Sequence, residues 1–327
     1  MIQSSGEKSI LIAGAGNIGR RHFESLLNYE DSLKISLLDP SEKALEYSRE
    51  IPAVEISSKS INYFKHISKL NSHYDLVIIC TNSDVRLSVL EELLNFCSFS
   101  KLILEKFLFQ SAENYKQASR ILKIHKINTW VNCSRRDWKL YKFLKKELEG
   151  QGVIDMSVFG NNWGMACNAI HFIDLFAWLN NVEEITFNTD RIEDKIYEAK
   201  RKGYKEFFGT MEGDAKSSRV QLTCLSHGEK EFQITLKTKE TTVVINEKKG
   251  WAVFSGDTIE YKSYLHCFKA PKTSEITKSI VRDILNNRQS NLPSFNDSAR
   301  LHLSFLESLI IKAKRIEGVD RNGLAIT

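Results

Sequence analysis

With 327 residues the chain is longer than a single hydrophobic core usually grows, which predicts two domains, and its 42% hydrophobic and 27% charged residues exclude the composition of a disordered chain. The 46 basic and 41 acidic residues leave a net charge of only +5 and alternate along stretches such as Glu193 to Lys202 and Glu229 to Glu240, the pattern of a solvated surface and not of a nucleic-acid footprint. Short basic pairs, Lys145-Lys146 and Lys248-Lys249, have carboxylates close by and read as exposed charge, not as phosphate ligands.

The six cysteines are widely spaced, with no CxxC pair and no histidine at zinc-ligand spacing, so reduced thiols and no metal site are expected. No stretch approaches the ~20 apolar residues of a membrane span, and residues 1–9 are polar. The expectation is a chain with no membrane partner and a cytoplasmic location.

In chain order, Ser9 to Ala13 reads as a strand ending in a glycine cluster, and Ile18 to Tyr29 carries Ile18, Phe23, Leu26 and Leu27 at helical spacing. Leu33 to Leu38 is a second strand, closing on Asp39-Pro40, and Ser41 opens a helix through Leu45 and Ser48. Strands follow over Asp75 to Cys80, Lys101 to Leu104 and Ile127 to Val131, separated by helices over Ser83 to Leu94 and Ser111 to His125. This alternation predicts a doubly wound parallel sheet of the Rossmann kind over residues 1–134.

Beyond residue 135 the rhythm changes. A helix over Trp138 to Glu149, a strand over Val153 to Phe159 and a helix over Ala169 to Leu179 lead into a mostly β region from Ile185 to Tyr264. Its alternating segments are Val220 to Cys224, Glu231 to Lys237, Thr241 to Asn246, Trp251 to Ser255 and Thr258 to Tyr264. Helices over Ser274 to Asn286 and Ser298 to Ile316 follow. The expectation is an α/β protein in which residues 135–327 form an α+β substrate-binding and oligomerisation domain with a largely antiparallel open sheet.

Gly14-Ala15-Gly16-Asn17-Ile18-Gly19 follows a strand and opens a helix, the context in which a GxGxxG pattern binds a dinucleotide. Gly14 permits the tight turn, Gly16 the approach of a pyrophosphate, and Gly19 close packing of helix on strand, while Asn17 and Ile18 begin the helix that faces the phosphates. Asp39 lies 20 residues beyond Gly19, where a carboxylate accepts from an adenosine ribose and repels a 2′-phosphate. This reads as NAD binding, with NADP the alternative cofactor. The bland readings are a structural turn or a methyltransferase-type loop.

Three further segments stand at strand or helix boundaries: Cys80-Thr81-Asn82, Glu105-Lys106-Phe107, and Gly164-Met165-Ala166-Cys167-Asn168-Ala169-Ile170-His171-Phe172-Ile173-Asp174. With the glycine turn they resemble the Gfo/Idh/MocA family of NAD(P)-dependent sugar and inositol oxidoreductases, over nearly the whole chain. The resemblance implies that Thr81, Asn82, Glu105 and Lys106 lie on the cofactor side, with Lys106 also a catalytic cation that polarises a substrate hydroxyl. It implies that His171 exchanges the hydroxyl proton as hydride passes to or from nicotinamide, a task suited to imidazole. Taken alone, Lys106 is a surface lysine and His171 a core histidine.

Two positions depart from the family. Phe107 replaces the usual proline, which removes the ordinary reason for a cis peptide there. Cys167 replaces the aspartate that relatives place four residues before the histidine, so His171 lacks that carboxylate, with Asn168 available for substrate contact. Arg135 and Arg136 read either as forks for a substrate carboxylate or phosphate or as surface charges at a helix start. Trp163 reads as a platform for sugar C–H groups or as core, and Asp174 shares a helix face with His171.

The function these readings imply is hydride transfer between nicotinamide and a hydroxyl or keto carbon of a sugar, sugar nucleotide or sugar acid, in a cleft between the domains. Family members that serve surface-polysaccharide synthesis offer one such setting. A dinucleotide- or sugar-binding protein without turnover is the alternative, favoured by Cys167 and Phe107. A homodimer or homotetramer is expected, because the C-terminal helices do not cover both faces of the β-rich domain.

Overall fold

The computed structural model describes residues 7–256 and 263–327. Its first part alternates β1 (Lys8–Ala13), α1 (Asn17–Leu27), β2 (Leu33–Leu38), α2 (Glu42–Arg49), α3 (Pro52–Glu55), β3 (Ser60–Phe64), β4 (Leu76–Ile79), α4 (Arg86–Phe96), β5 (Lys101–Leu104), α5 (Ala112–Ile124) and β6 (Asn128–Val131). These six strands form one parallel sheet in the order β3-β2-β1-β4-β5-β6, in which the crossover reverses between β1 and β4. This is the doubly wound order, with ligand sites at the carboxyl ends of the strands where the order reverses. Every residue of β4 is buried, as is the stretch Ile10–Ala13 of β1, which explains their unbroken apolar runs.

A 3₁₀ turn over Ser134–Asp137 leads into α6 (Lys139–Glu147), β7 (Asp155–Asn161) and α7 (Met165–Asn180). There follow β8 (Thr186–Asn188), the two-stranded pair β9 (Tyr197–Glu198) and β10 (Lys205–Glu206), then β11 (Gly209–Ala215), β12 (Ser218–Leu225), β13 (Gln233–Lys237), β14 (Thr241–Asn246), β15 (Trp251–Gly256) and β16 (Ser263–Cys267). Of the strand expected over Thr258 to Tyr264, residues 258–262 lie outside the described residues. The eight-stranded sheet runs β16-β15-β14-β13-β7-β12-β11-β8. It is antiparallel except between β7 and β12, which pair in parallel with Val158 opposite Leu222. Two helices complete the chain, α8 (Thr273–Leu285) and α9 (Phe295–Glu317).

The chain divides into two compact units. The first takes residues up to Phe109, Asn114–Asn132 and Pro271–Phe295; the second takes Gln110–Glu113, Cys133–Ala270 and Asn296–Thr327. The boundary at residue 134 therefore does not describe the whole division, because α8 packs in the first unit. Its Ile280, Val281, Ile284 and Leu285 join one core cluster with Phe23 and Leu26 of α1 and Ile10 and Ile12 of β1. That apolar stripe at helical spacing has its partner on α1, so burial of the stripe draws the segment back.

Candidate functional site

In the first unit the glycine turn is built as a cradle. Gly14 has φ +99°, its N–H donates to Leu38 O at 2.8 Å, and a Cβ there would press within 3.0 Å of the backbone between Cys80 and Thr81. A Cβ on Gly19 would overlap the Gly14 carbonyl oxygen. Gly16 is the N-cap of α1 with no side chain capping it, and a Cβ there would meet nothing within 4 Å. Asn17 is exposed and Ile18 half-buried. A helix N-terminus with uncapped amides behind an open glycine fits the pyrophosphate of a dinucleotide.

Asp39 closes this turn. Its Oδ2 accepts from Ala15 N at 2.7 Å and its Oδ1 from Ser41 N at 2.9 Å. A carboxylate has about four acceptor positions, so these two bonds orient the group and leave capacity for ribose hydroxyls.

Next to the turn, the ends of β4 and β5 carry Thr81-Asn82 and Glu105-Lys106. The Glu105 carboxylate is buried and turned inward: Oε1 lies 2.8 Å from His22 Nε2 and accepts from Asn132 Nδ2. Glu105 is thus engaged with the interior. Lys106 is half-buried, and the Lys106–Phe107 peptide is cis although phenylalanine stands in place of proline. Phe107 itself is wholly buried, and its carbonyl accepts from the Arg86 guanidinium.

In the second unit α7 begins at Met165, earlier than the spacing predicted, so Cys167 and Asn168 stand in its first turn and not in a loop. Gly164 precedes it with φ +81°. The N-terminus is held by Glu206, whose Oε1 accepts from Ala166 N at 2.7 Å and Phe207 N at 2.9 Å. Burial pushes the Glu206 carboxyl above its ordinary range against the pull of these two amides.

Between Met165 and Ala177, α7 is buried except at Cys167, Asn168 and His171, which form one accessible stripe. Asn168 Nδ2 donates to Trp163 O at 2.7 Å. Trp163 Nε1 donates to Thr223 O at 2.8 Å, and its ring meets Phe172 and Phe232 edge-on in a cluster of three mutually contacting rings.

Arg135 and Arg136 both use their forks on carboxylates of the chain. Arg136 grips Asp174 through Nε at 2.7 Å and Nη2 at 2.6 Å, and Asp174 is 1% exposed. Burial pushes the Asp174 carboxyl up while the Arg136 charge works against it. Arg135 grips Glu247 with two bonds of 2.8 Å, lies 4.4 Å from the centre of the Phe172 ring, and shares Glu247 with the Tyr141 hydroxyl. These pairs fix the 3₁₀ turn against α7 and the end of β14. Sequence spacing gives no signal for Glu247, Tyr141, Glu206, His22, Asn132 or Arg86, because each partner is distant in the chain.

A cavity of about 430 Å³ in the second unit, lined in part by Lys145, Lys146, Trp178 and Lys216, contains none of the candidate residues. Its lysines have a structural account. Lys145 and Lys146 stand in the last turn of α6, and Lys145 Nζ donates to Trp178 O and, at 2.9 Å, to Asn181 Oδ1 at the end of α7, where helix carbonyls favour cations. Among the described residues no group of His, Cys, Asp and Glu suits a metal ion, and no helix is long and apolar enough to cross a membrane.

No curated protein matches the chain in sequence. Solved structures do match its fold. A super-repressor mutant of Gal80p from Saccharomyces cerevisiae aligns with a TM-score of 0.72 at 13% identity, covering 94% of this chain and 96% of that one. UDP-N-acetylglucosamine 3-dehydrogenase from Acidithiobacillus ferrooxidans aligns at 0.68 and 11% identity, covering 92% and 96%. Scyllo-inositol dehydrogenase from Lactobacillus casei, solved with NAD(H) and scyllo-inositol, aligns at 0.64 and 14% identity, covering 92% and 95%. In sequence, residues 8–133 match the Gfo/Idh/MocA model, described as an oxidoreductase family with an NAD-binding Rossmann fold. Residues 8–133 are thus similar in sequence to the Gfo/Idh/MocA oxidoreductases, and the fold of the chain is that of the solved structures above.

Proposed function

We propose that the protein is an NAD(H)-dependent oxidoreductase acting on a hydroxyl or keto carbon of a sugar, sugar nucleotide or sugar acid. The observation that carries this reading is the stripe of α7 that leaves His171 half-buried on a helix otherwise buried over three turns. An imidazole presented in this way serves as acid or base, whereas a core histidine would be covered. The names of two structural neighbours, dehydrogenases of an inositol and of a nucleotide sugar, support the substrate class.

In this reading the glycine turn and Asp39 hold the adenosine and pyrophosphate, and bound nicotinamide supplies the hydride acceptor or donor. His171 takes the hydroxyl proton in oxidation and returns it in reduction. Lys106 lowers the pKa of that hydroxyl through its charge. Asn168 keeps its Oδ1 to accept from a substrate hydroxyl, with Trp163 alongside. Arg136 acts through Asp174 and Arg135 through Glu247, holding α7 and the 3₁₀ turn in register.

The test is a screen of polyols, sugars, sugar nucleotides and sugar acids for reduction or oxidation of nicotinamide by the purified protein. Turnover with one class is expected. Dinucleotide binding without turnover on any class favours the second reading, a binding protein, which rests on Cys167 in place of the family aspartate. Retention of S-adenosylmethionine in place of NADH would replace both.

A further inference from the structure

We infer that Arg86 is a positioning residue for the cofactor side of the site: its buried guanidinium ties the Thr81 turn to the Lys106–Phe107 turn so that the two move as one body. This rests on the proposed placement of Thr81, Asn82 and Lys106 beside nicotinamide.

Arg86 is the first residue of α4 and is 1% exposed. Nothing in helix packing asks for a cation here. Leu87, Leu90 and Leu93 already supply the apolar face of α4, and a positive charge at a helix N-terminus opposes the dipole. Arginine is rarely buried without a partner, because removing the guanidinium from water is costly. Burial pulls Arg86 down to about 10, with the Glu105 charge acting in the opposite sense, so it remains a cation at neutral pH.

What the guanidinium receives in exchange is three backbone carbonyls. Nη1 donates to Phe107 O and, at 2.9 Å, to Leu108 O, while Nη2 donates to Thr81 O. These carbonyls belong to two turns at the carboxyl ends of the neighbouring strands β4 and β5, where an open α/β sheet takes its ligand. The planar fork suits this task because its donors diverge at fixed angles. A lysine ammonium supplies a single point, and an apolar side chain supplies none. Glu105 is held separately by His22 and Asn132, so Lys106 has a tether on each side in sequence.

The test uses the full chain carrying Arg86→Met and Arg86→Lys, with amide hydrogen exchange of the unliganded proteins and calorimetric titration with NADH. Arg86→Met is expected to raise exchange in residues 80–84 and 105–109 together while β1 and β2 stay protected. NADH affinity should fall about tenfold, since only the fraction with both turns in place binds, and Arg86→Lys should lie between. Exchange that is unchanged, or raised in only one segment, overturns the tie. Exchange raised in both with NADH affinity unchanged overturns the positioning role. A wild-type protein that binds no NADH refutes the proposed function and with it the cofactor role, and the exchange data alone then decide the tie. If Arg86→Met does not fold, Arg86→Gln and Arg86→Lys carry the same comparison.

Discussion

His22 Nε2 lies 2.8 Å from Glu105 Oε1, with both side chains buried, and His22 Nδ1 lies 2.8 Å from Thr277 Oγ1. The Thr277 hydroxyl donates to Thr273 O at 2.9 Å, so the oxygen facing Nδ1 is an acceptor. Both ring nitrogens of His22 are therefore engaged with oxygen partners, Glu105 on one side and Thr277 on the other. This pair links α1 and α8 to the strand end that carries Lys106.

The pair predicts an acid limb in stability. Burial alone would raise the Glu105 carboxyl, but the bond and charge of His22, the bond from Asn132 and the charge of Lys106 bring it below its ordinary 4.5. A depressed carboxylate adds stability that is complete above its unfolded value and is lost as pH falls through the lower folded value. Glu105→Gln should flatten the melting temperature against pH below about pH 4.5. His22→Ala, which removes one hydrogen bond from the buried Glu105 carboxylate, should cost about 1–3 kcal/mol in urea unfolding. A wild-type acid limb in Glu105→Gln would contradict the assignment.

Cofactor choice follows from Asp39. NAD(H) should bind more tightly than NADP(H), because a 2′-phosphate would face a carboxylate already oriented by Ala15 N and Ser41 N. Asp39→Asn should narrow the preference by roughly tenfold, about 1.4 kcal/mol. Fluorescence titration with both reduced cofactors checks this, and tighter NADP(H) binding by the wild type would refute it.

His171→Asn should lower turnover ~10² to 10⁴-fold with NADH affinity nearly unchanged, and Lys106→Ala should lower turnover over the same range. Cys167→Asp restores the carboxylate that relatives carry one turn before the histidine. It should raise turnover if Cys167 merely weakens an ordinary dehydrogenase. A fall would show a site rebuilt for another substrate, and wild-type turnover in both His171→Asn and Lys106→Ala would relocate the active site.

Gly19→Ala should abolish dinucleotide binding, since its methyl overlaps the Gly14 carbonyl and the turn must open. Gly16→Ala places its methyl in open space and should leave the fold intact while weakening the cofactor. Melting curves with and without NADH separate the two, and equal behaviour of both variants would count against the cradle.

The eight-stranded sheet leaves one face half-exposed through Phe159, Val244, Trp251 and Val253, with Val244 opposite Val253 in register. Dimers or tetramers through this face are expected, and Val244→Lys should shift the protein towards monomer in light scattering. A wild-type monomer at micromolar concentration would refute this.

Buried strands were legible in the sequence where both faces are covered: Leu76–Ile79 reads as a plain apolar run, and Leu33–Leu38 as an apolar strand interrupted by the exposed Lys34 and by Ser36. β3 was not, since Ser60–Phe64 is an edge strand with no buried residue, so its polar side chains hide the period. Nor was β11, whose Gly213 packs where a Cβ would meet Ile185, Phe187 and Val220 at 2.8 Å; glycine there signals close packing and shows no side-chain pattern. For the site, the glycine turn and the His171 helix could be read from local spacing. The partners of Arg135, Arg136, Glu105 and Arg86 could not, because a bond such as Arg135 to Glu247 joins residues 112 apart.

The return of residues 271–295 to the first unit bears on how the protein is made. Synthesis runs from the N-terminus, so β1 to β6 emerge long before α8, and the apolar face of α1 at Phe23 and Leu26 waits for its cover while the intervening chain is still being translated. A fragment ending near residue 134 would carry the same exposed face permanently. The first unit is therefore not an excisable N-terminal module; it reaches its native core only after residues 271–295 have been made, and a nascent chain stalled before residue 285 still carries that uncovered apolar face.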